Sequence, residues 1–597
     1  MAFLLQPALA AAVALALLYG PALPDATWVH DDGAAVTGNP LVAWPPDLQA
    51  IAAGRWFGPV ARFDVFPARP LATLSYCLEI PVGLHTPVGA RLANLVLAWA
   101  CCLLLARLVR QWMAAAGRAP AVAQAAAWLA AVGFAVHPLH VEVVANAANR
   151  PEALALALSL GVLEQWTQLR LGQTGRLRPW LAALLLLAAL LSKESALALV
   201  AVLVGWMVLV PQARSSLQRA VLPAAIALGT FGAWRIWNLA GHWHIAIHRH
   251  DNPLAHVDAV TRIWSALAIL GRAAASLLLP SDLAPDYSFD AWPPLATLAS
   301  PGLAGLGLLA LAVAAVTTLT RRAREAVQGD AGHRVRAAEP ALVAALALAG
   351  WWLPVSNLVL PSTVIWADRL LFAPSAAALA VLAALVAQAW YRPTRMRTAV
   401  PIGVLLALGG WSTVTARYVP AWHNDLALFS YGVHAQPRAL RMQANLAHTI
   451  VVTRADRDPR PAARAALALD PRDPDVWATG MDAAAYRNDC AAAEPFAQAV
   501  ASSRKRATNA RLAALAWGMR CKQYRRAFGI ASGLPPQVLG PQRIVDVYAL
   551  AIAAGQTEGA GRWAQFVGVD PTREPMWQQA QAFGAQLAAP ATATAAP

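Results

Sequence analysis

Charged residues are scarce in this chain of 597 residues. They make up only 13% of the sequence, whereas 58% of the residues are hydrophobic and the mean hydropathy is +0.47. Such a composition excludes an ordinary soluble protein, because one or two water-soluble cores cannot bury so much apolar surface. The sequence therefore predicts that lipid is a large part of the solvent of this protein.

Acidic residues and metal-binding cysteine motifs are also scarce. The chain has 32 Asp and Glu against 47 Lys and Arg, which gives a net charge of +15. The arginines group between apolar runs, as they do in the cytoplasmic loops of membrane proteins, so the charge does not point to a nucleic-acid partner. The five cysteines form no CxxC or Cys/His cluster with the spacing of a zinc site. A structural metal is therefore not expected.

Apolar runs that are long enough, or nearly long enough, to cross about 30 Å of hydrocarbon recur up to residue 417. The run at 180–210 is long enough for a bent hairpin interrupted by Lys193 and Glu194, and the first run is interpreted as a retained span because it lacks the basic start of a signal peptide. The pattern predicts an all-α polytopic bundle of eleven or twelve spans, near 3–22, 90–109, 119–136, 151–168, 180–210, 220–238, 261–280, 302–319, 340–358, 370–390 and 399–416.

Arginine clusters between the runs predict the orientation. Those near 107–118, 170–178, 214–219, 321–336 and 392–397 mark cytoplasmic loops, as expected for a bacterial inner-membrane protein with a cytoplasmic N-terminus. The periplasmic side then holds loop 23–89, segment 137–150, loop 239–258 and the C-terminal tail. One conflict remains in this count. A full crossing by 261–280 puts the 321–336 arginines on the wrong side, so either that run re-enters or 180–210 is not a full hairpin.

The character of the sequence changes after Tyr418, where apolar runs shorten and Asp and Arg become frequent. The segment 461–477 and the segment from Arg511 have the small-residue texture of tetratricopeptide repeats, although a non-repeat helical tail is the alternative. We predict a transmembrane domain at 1–417, a periplasmic repeat-like helical domain at 418–585 and a disordered tail at 586–597. Cys490 and Cys521 in the repeat-like domain either bridge in an oxidising compartment or are separately buried thiols.

The first candidate site residues follow the first span, where Asp31 and Asp32 are adjacent. Paired carboxylates at a membrane surface can take a proton from an acceptor hydroxyl or hold a divalent cation, while a solvated turn is the alternative. Further along the loop, Arg69 precedes Pro70 at the start of an amphipathic helix. Its guanidinium can bind a phosphate or anchor to lipid headgroups.

Polar residues between apolar runs form the next cluster. His137, His140, Glu142 and Arg150 lie where polar groups are costly unless they are used or solvated. The His-x-x-His spacing invites a metal interpretation, but Pro138 breaks the helix between the histidines, so a phosphate-binding or substrate-binding role is favoured.

Three further polar sites occur within or beside apolar runs. Lys193 and Glu194 interrupt an apolar stretch, either as functional residues or as a mutually paired hinge. Segments 278–294 and 353–375 carry Asp286, Tyr287, Asp368 and Arg369 at the edges of spans. The histidines of 242–251 lack a trusted metal spacing and are interpreted as surface groups.

These motifs, taken in order, resemble the transmembrane and tetratricopeptide-repeat-containing (TMTC) protein O-mannosyltransferases and their bacterial relatives, which belong to the GT-C glycosyltransferases. The resemblance covers about residues 25–450. It is carried by "HDDGAAVTGNP", "ARPLATLSYCLE" with "ARLANLVLAW", "FAVHPLHVEVVANAANRPEAL", "LSKESALAL", "DLAPDYSFDAWP", "LPVSNLVLPS" with "ADRLLFAPS", and "WHNDLALF".

The resemblance implies an inverting transfer of a sugar from a polyprenyl-phosphate donor to a protein Ser/Thr or glycan hydroxyl on the periplasmic side. It implies Asp31 or Asp32 as the base, a repeat domain that positions the acceptor, and no cofactor beyond a possible divalent cation. The residues that it implies for the lipid-phosphate pocket are Arg69, His137, His140, Arg150 and Lys193. Further candidate substrate-binding residues are Glu142, Glu194 and Arg369. A transporter, a non-enzymatic membrane scaffold and a diphosphate-dependent oligosaccharide ligase or polymerase are the alternatives.

Overall fold

A computed structural model describes residues 2–57, 68–173, 175–239, 247–325, 335–392, 396–502, 508–534, 536–566 and 575–588. This part of the chain contains helices and turns without a β-strand, which confirms the all-α prediction. Residues 326–334 of the arginine-rich loop, half of the 242–251 histidine segment and most of the predicted disordered tail lie outside the described residues. The chain divides into two compact units, the first extending to Tyr431 and the second beginning at Gly432.

Every predicted apolar run in the first unit contains a helix, because long apolar runs satisfy their backbone groups internally only as helices. The helices are α1 (Ala2–Tyr19), α2 (Leu48–Ala53), α3 (Pro70–Cys77), α4 (Pro87–Ala115), α5 (Pro120–Val136), α6 (Val141–Ala145), α7 (Arg150–Arg170), α8 (Arg178–Ser192), α9 (Ala198–Leu209), α10 (Arg214–Leu239), α11 (Ala259–Leu278), α12 (Ser300–Glu325), α13 (Val335–Trp352), α14 (Phe372–Trp390), α15 (Met396–Tyr418) and α16 (Asp425–Ala435).

Six helical segments in the described part of the chain are long and apolar enough to cross a membrane, and the bent pair formed by α5 and α6 is a seventh candidate. Helices α1, α8 and α9 are apolar but shorter. The protein is thus a multi-pass helical membrane protein. The eleven or twelve spans predicted from the sequence also include these shorter helices, α7 and α11.

The 180–210 stretch does reverse direction at its charged interruption. At the bend, Lys193 pairs with Glu152 near the start of α7. At the other end of the first arm, Arg178 at the start of α8 bonds to Gln165 near the end of α7. In the second arm, Trp206 near the end of α9 bonds to Glu339 near the start of α13. The two arms diverge, since α8 packs on α7 and α10 while α9 packs on α13. The predicted bend is therefore present, but its arms do not pack against each other.

Helix α11 resolves the conflict in the sequence-based topology. Before α11, the carbonyl of Asp251 accepts a hydrogen bond of 2.9 Å from the amide of Ile365. After α11, the hydroxyl of Tyr287 donates to the carboxylate of Asp368 at 3.0 Å. Both flanks of α11 thus contact the 365–368 segment, so the chain before and after this helix lies at one end of the bundle. Among the described residues, α11 is also not one of the helices long and apolar enough to cross a membrane, which favours the re-entrant alternative for 261–280.

The second unit consists of stacked helices, which begin with α17 (Leu440–Thr453), α18 (Arg460–Leu469), α19 (Pro474–Tyr486) and α20 (Cys490–Ser502). Consecutive helices pack as pairs, and α17, α19 and α21 also pack on one another, around a core that contains the fully buried Trp517. The remaining helices are α21 (Thr508–Arg520), α22 (Tyr524–Ala531), α23 (Pro536–Ala553), α24 (Thr557–Phe566) and α25 (Pro575–Ala588).

Cys490 and Cys521 form a disulfide, with their Cα atoms 5.6 Å apart. Cys490 begins α20 and Cys521 directly follows α21, so the bridge joins neighbouring helices of the stack. Of the two readings left open by the sequence, the structure contains the bridge. Cys77, Cys101 and Cys102 of the first unit are buried free thiols.

Candidate active site

Asp32 holds the loop that follows α1. Its side chain is buried and accepts hydrogen bonds from the amide of Val29 at 3.1 Å and from the amide of Ala148 at 2.7 Å. These bonds tie the first loop to the turn before α7. Burial is the largest influence on this carboxyl and raises its pKa to about 6, although the two amides oppose the shift. Asp32 thus organises the loop.

Asp31, by contrast, presents its carboxylate to solvent. Its side chain is 48% exposed, and one oxygen lies 3.2 Å from Nδ1 of His30. The backbone carbonyl of Asp31 accepts the amide of Ala35 at 2.8 Å, which begins a short helical turn. Of the two predicted acids, Asp31 is the one that an acceptor hydroxyl can reach.

A largely buried ion pair lies within electrostatic reach of Asp31. Arg369 donates to the carboxylate of Glu142 both from its guanidinium and from its backbone amide, the latter at 2.9 Å. Asp31 and Asp286 both act electrostatically on Arg369, and Asp286 also acts on His30. The structure therefore brings together residues that are far apart in the sequence.

Lys193 connects this cluster to a second group of charges. Its ammonium pairs with Glu152, and it interacts electrostatically with Arg69 and Arg369. Glu194, its neighbour, pairs with Arg235 at 2.7 Å and lies 3.8 Å from Arg69. The alternative of a mutually paired Lys193–Glu194 hinge is wrong, because each residue has a partner on another helix.

Arg69 and Arg235 form a cationic, aromatic-backed part of the site. The guanidinium of Arg69 lies 5.2 Å from the ring centre of Trp56, and that of Arg235 lies 4.8 Å from that of Trp234. Nε of Arg69 is buried without a hydrogen-bond partner among the described residues. A buried guanidinium nitrogen without an acceptor is unfavourable, so a ligand oxygen would stabilise it.

The two predicted histidines lie in the break between α5 and α6. His137 contacts the carbonyl of Leu277 at 3.1 Å and accepts the amide of Leu139, while His140 contacts the carbonyl of Phe134 at 2.7 Å and the hydroxyl of Ser375 at 2.8 Å. Both ring nitrogens of each histidine are used within the protein. This arrangement favours a role in holding the helix break over phosphate binding.

Metal ligation receives no support from the described residues. Within them, no three His, Cys, Asp or Glu side chains converge as metal ligands would. The His-x-x-His spacing is explained instead by the contacts of the two imidazoles with backbone carbonyls and a serine.

Arg150 is buried in a protein-built pocket. Its guanidinium contacts Glu79 at 2.6 Å, Asn94 at 3.0 Å, Ser75 at 3.2 Å and the carbonyl of Ala90 at 3.1 Å. These contacts join α3 and α4 to the start of α7, so Arg150 positions the helices around the site. It is not placed to meet a phosphate.

Several residues that shape the site had weak sequence signals. The amide of His30 donates to the Asp425 carboxylate at 2.7 Å, and Arg91 donates to the carbonyls of Thr27 and Trp422. These bonds explain why the first unit extends beyond residue 417. They also show that the "WHND" and "ARLAN" motifs contact the first loop. Arg235 could have been found from the sequence, since it is the one charged residue in the apolar run 220–238.

The raised pKa of Asp32 predicts a pH-dependent stability. The folded pKa of about 6 exceeds the unfolded value near 3.9, so folding favours the protonated carboxyl. The contribution of this carboxyl to the free energy of unfolding is therefore fully present below about pH 4 and is lost as the pH rises through about 6. The loss is on the order of 3 kcal/mol. The thermal unfolding midpoint in detergent should fall for wild type, relative to Asp32→Asn, as the pH rises over that interval. The same pH dependence of the midpoint in both proteins would contradict the prediction.

Comparison with known proteins gives one distant likeness. The chain is 30% identical over 285 residues to the protein O-mannosyl-transferase Tmtc2 of Drosophila melanogaster. The aligned part is 46% of this chain and 29% of that protein, so the chain spans less than a third of that relative. No family model and no solved structure matches the chain. The chain is therefore a multi-pass helical membrane protein with a distant likeness to a protein O-mannosyltransferase.

Proposed function

We propose that this protein is a membrane glycosyltransferase that moves a sugar from a polyprenyl-phosphate donor to a protein Ser/Thr or glycan hydroxyl, with inversion. The observation that carries the proposal is the half-exposed Asp31 beside the Arg369–Glu142 pair, on the loop that the TMTC-like motifs define. The likeness to Tmtc2 supports the same class of reaction.

Asp31 acts as the general base in this proposal. A carboxylate within hydrogen-bond reach takes the proton from the attacking hydroxyl as the hydroxyl oxygen forms the new bond to the anomeric carbon. The bond from that carbon to the phosphate oxygen breaks, and its electron pair leaves with the polyprenyl phosphate. A single displacement of this kind inverts the anomeric centre. Asp32 then keeps the loop in place, since both of its oxygens accept backbone amides.

Cations stabilise the leaving phosphate. Arg69 and Arg235 have aromatic rings behind them, and Lys193 interacts electrostatically with Arg69. Fixed positive charge aimed at a developing anion is usually the largest contribution that a site makes to rate. Glu194 and Glu152 limit the repulsion among these cations when the donor is absent.

The site belongs on the extracytoplasmic side in this proposal. Without a crossing by α11, a count of the helices supports a position of Asp31 on the side opposite the arginine-rich loops, as the positive-inside rule expects. The Cys490–Cys521 bridge supports the same side for the second unit, because disulfides persist in oxidising compartments. A reporter active only outside the cytoplasm should work when fused after Tyr418. Activity of a cytoplasm-only reporter at that position would contradict this placement.

The proposed activity is tested by mass spectrometry of envelope proteins and surface glycans from cells with and without the gene. We expect a hexose to be lost from Ser or Thr residues, or from a surface glycan, when the gene is absent. Purified protein should then restore the modification with a synthetic polyprenyl-phosphate sugar. Restoration only with a diphosphate-linked donor would indicate a ligase or polymerase, and unchanged glycosylation would contradict the proposal.

A further inference from the structure

One face of the second unit carries a row of charged side chains. Helices α17, α19, α21 and α23 pack on one another in turn, whereas the helices between them pack on these four. In a stack of helical hairpins, the helices that contact each other lie closer together and form the inner side of the curve. Such inner surfaces are extended and concave and commonly bind ligands.

The row takes one residue from each inner helix. Nδ1 of His448 on α17 lies 4.0 Å from the carboxylate of Asp482 on α19, and Asp482 interacts electrostatically with Arg520 on α21 and Arg543 on α23. His448, Arg520 and Arg543 are exposed. The four side chains therefore share one solvent-accessible surface of the inner layer.

Asp482 is the unusual member of the row. Its side chain is only 17% exposed, and among the described residues its one direct polar contact is the ion pair with His448. Burial raises its pKa to about 7, although Arg520 and Arg543 oppose the shift. A carboxylate that is largely removed from water without hydrogen bonds is unfavourable. An N–H or O–H donor from a ligand would stabilise it.

Arg520 is held in place beside Asp482. Its guanidinium lies 5.4 Å from the ring centre of Tyr486, one turn along α19 from Asp482. An arginine on an aromatic face keeps its N–H groups available for a carboxylate at a reduced entropic cost. Arg543 extends the same positive charge to the next inner helix.

We infer that this row binds an extended acidic peptide segment. Arg520 and Arg543 bind side-chain carboxylates of the segment, and Asp482 accepts a backbone N–H or a Ser/Thr hydroxyl from it. Charge complementarity selects an acidic occupant, because three cationic or basic groups surround one carboxylate. That the segment belongs to a glycosyl acceptor rests on the proposed function, but the binding itself does not.

The test is peptide binding by the full chain in nanodiscs, without any sugar donor. A labelled serine-containing peptide with several Asp and Glu residues should bind at least about tenfold more tightly than its Asn/Gln counterpart. The double variant Arg520→Ala/Arg543→Ala should remove that preference, and Asp482→Asn should weaken binding of both peptides. The matched control is Arg562→Ala, because Arg562 on α24 is 76% exposed and lies outside the inner layer.

Equal affinity for the two peptides, or an unchanged preference in the double variant, would overturn the inference. Because no donor is present, the outcome does not depend on transferase activity. Conversely, transfer to a short soluble acceptor tests the proposed function without this surface. The two proposals can therefore fail separately.

Discussion

Asp31→Asn should reduce sugar transfer by on the order of 10²–10⁴-fold, the usual contribution of a positioned general base. Asparagine keeps the size of the side chain but cannot take a proton at working pH. The side chain is 48% exposed and lies in a loop, so expression, membrane insertion and thermal stability should stay near wild type. The measurement is transfer per mole of purified protein from a polyprenyl-phosphate sugar.

Asp25→Asn is the matched control for that substitution. Asp25 lies in the same loop, is exposed and has a left-handed backbone (φ 57°), a conformation that asparagine tolerates. Its transfer activity should equal wild type. Full activity in Asp31→Asn would remove Asp31 as the base, and equal losses in both variants would show that the loop is merely sensitive to substitution.

Arg369→Gln should destabilise the protein by about 3–5 kcal/mol, because it leaves Glu142 as an unpaired carboxylate in the interior. The Glu142 side chain is only 2% exposed, and its partner is 25% exposed. We expect a large fall in the thermal unfolding midpoint in detergent, together with loss of transfer. The stability loss should be far smaller for Arg526→Gln, whose arginine is 40% exposed and pairs with Glu494, a carboxylate that is itself 34% exposed.

The double variant Glu142→Gln/Arg369→Gln separates stability from chemistry. Two neutral amides can bond to each other, so most of the lost stability should return. Transfer should not return, because the positive charge beside Asp31 is still absent. A double variant that is stable and active would limit the pair to a structural role, and one that remains unstable would show that the ion pair was not the source of the loss.

Much of the helical architecture could be predicted from local composition. Each predicted apolar run contains a helix, and the charged interruption at Lys193 and Glu194 does mark a reversal of the chain. Such features depend on residues that are close in sequence, since apolar length and breaking residues act within one helix. The α11 segment was ambiguous because composition does not show whether both of its flanks lie at one end.

The candidate site was only partly predictable. Asp31 and Asp32 are adjacent in the sequence. Asp32 is buried and accepts the amide of Ala148, whereas Asp31 faces solvent and interacts electrostatically with Arg369. No local pattern separates them, because the difference comes from a partner more than a hundred residues away. The same holds for His137 and His140, whose spacing is typical of ligands and whose nitrogens are taken by the protein.

Local sequence is enough to predict that the chain is apolar, helical and multi-pass, where its helices lie, and which polar residues interrupt them. Those properties follow from hydrophobicity and backbone hydrogen bonding, which act over one helix length. Only the tertiary structure decided the roles of the polar residues. Helix packing pairs Glu142 with Arg369, Lys193 with Glu152 and Glu194 with Arg235. Burial of a charge is unfavourable, so each charged side chain pairs with the opposite charge that the packing of the helices places next to it.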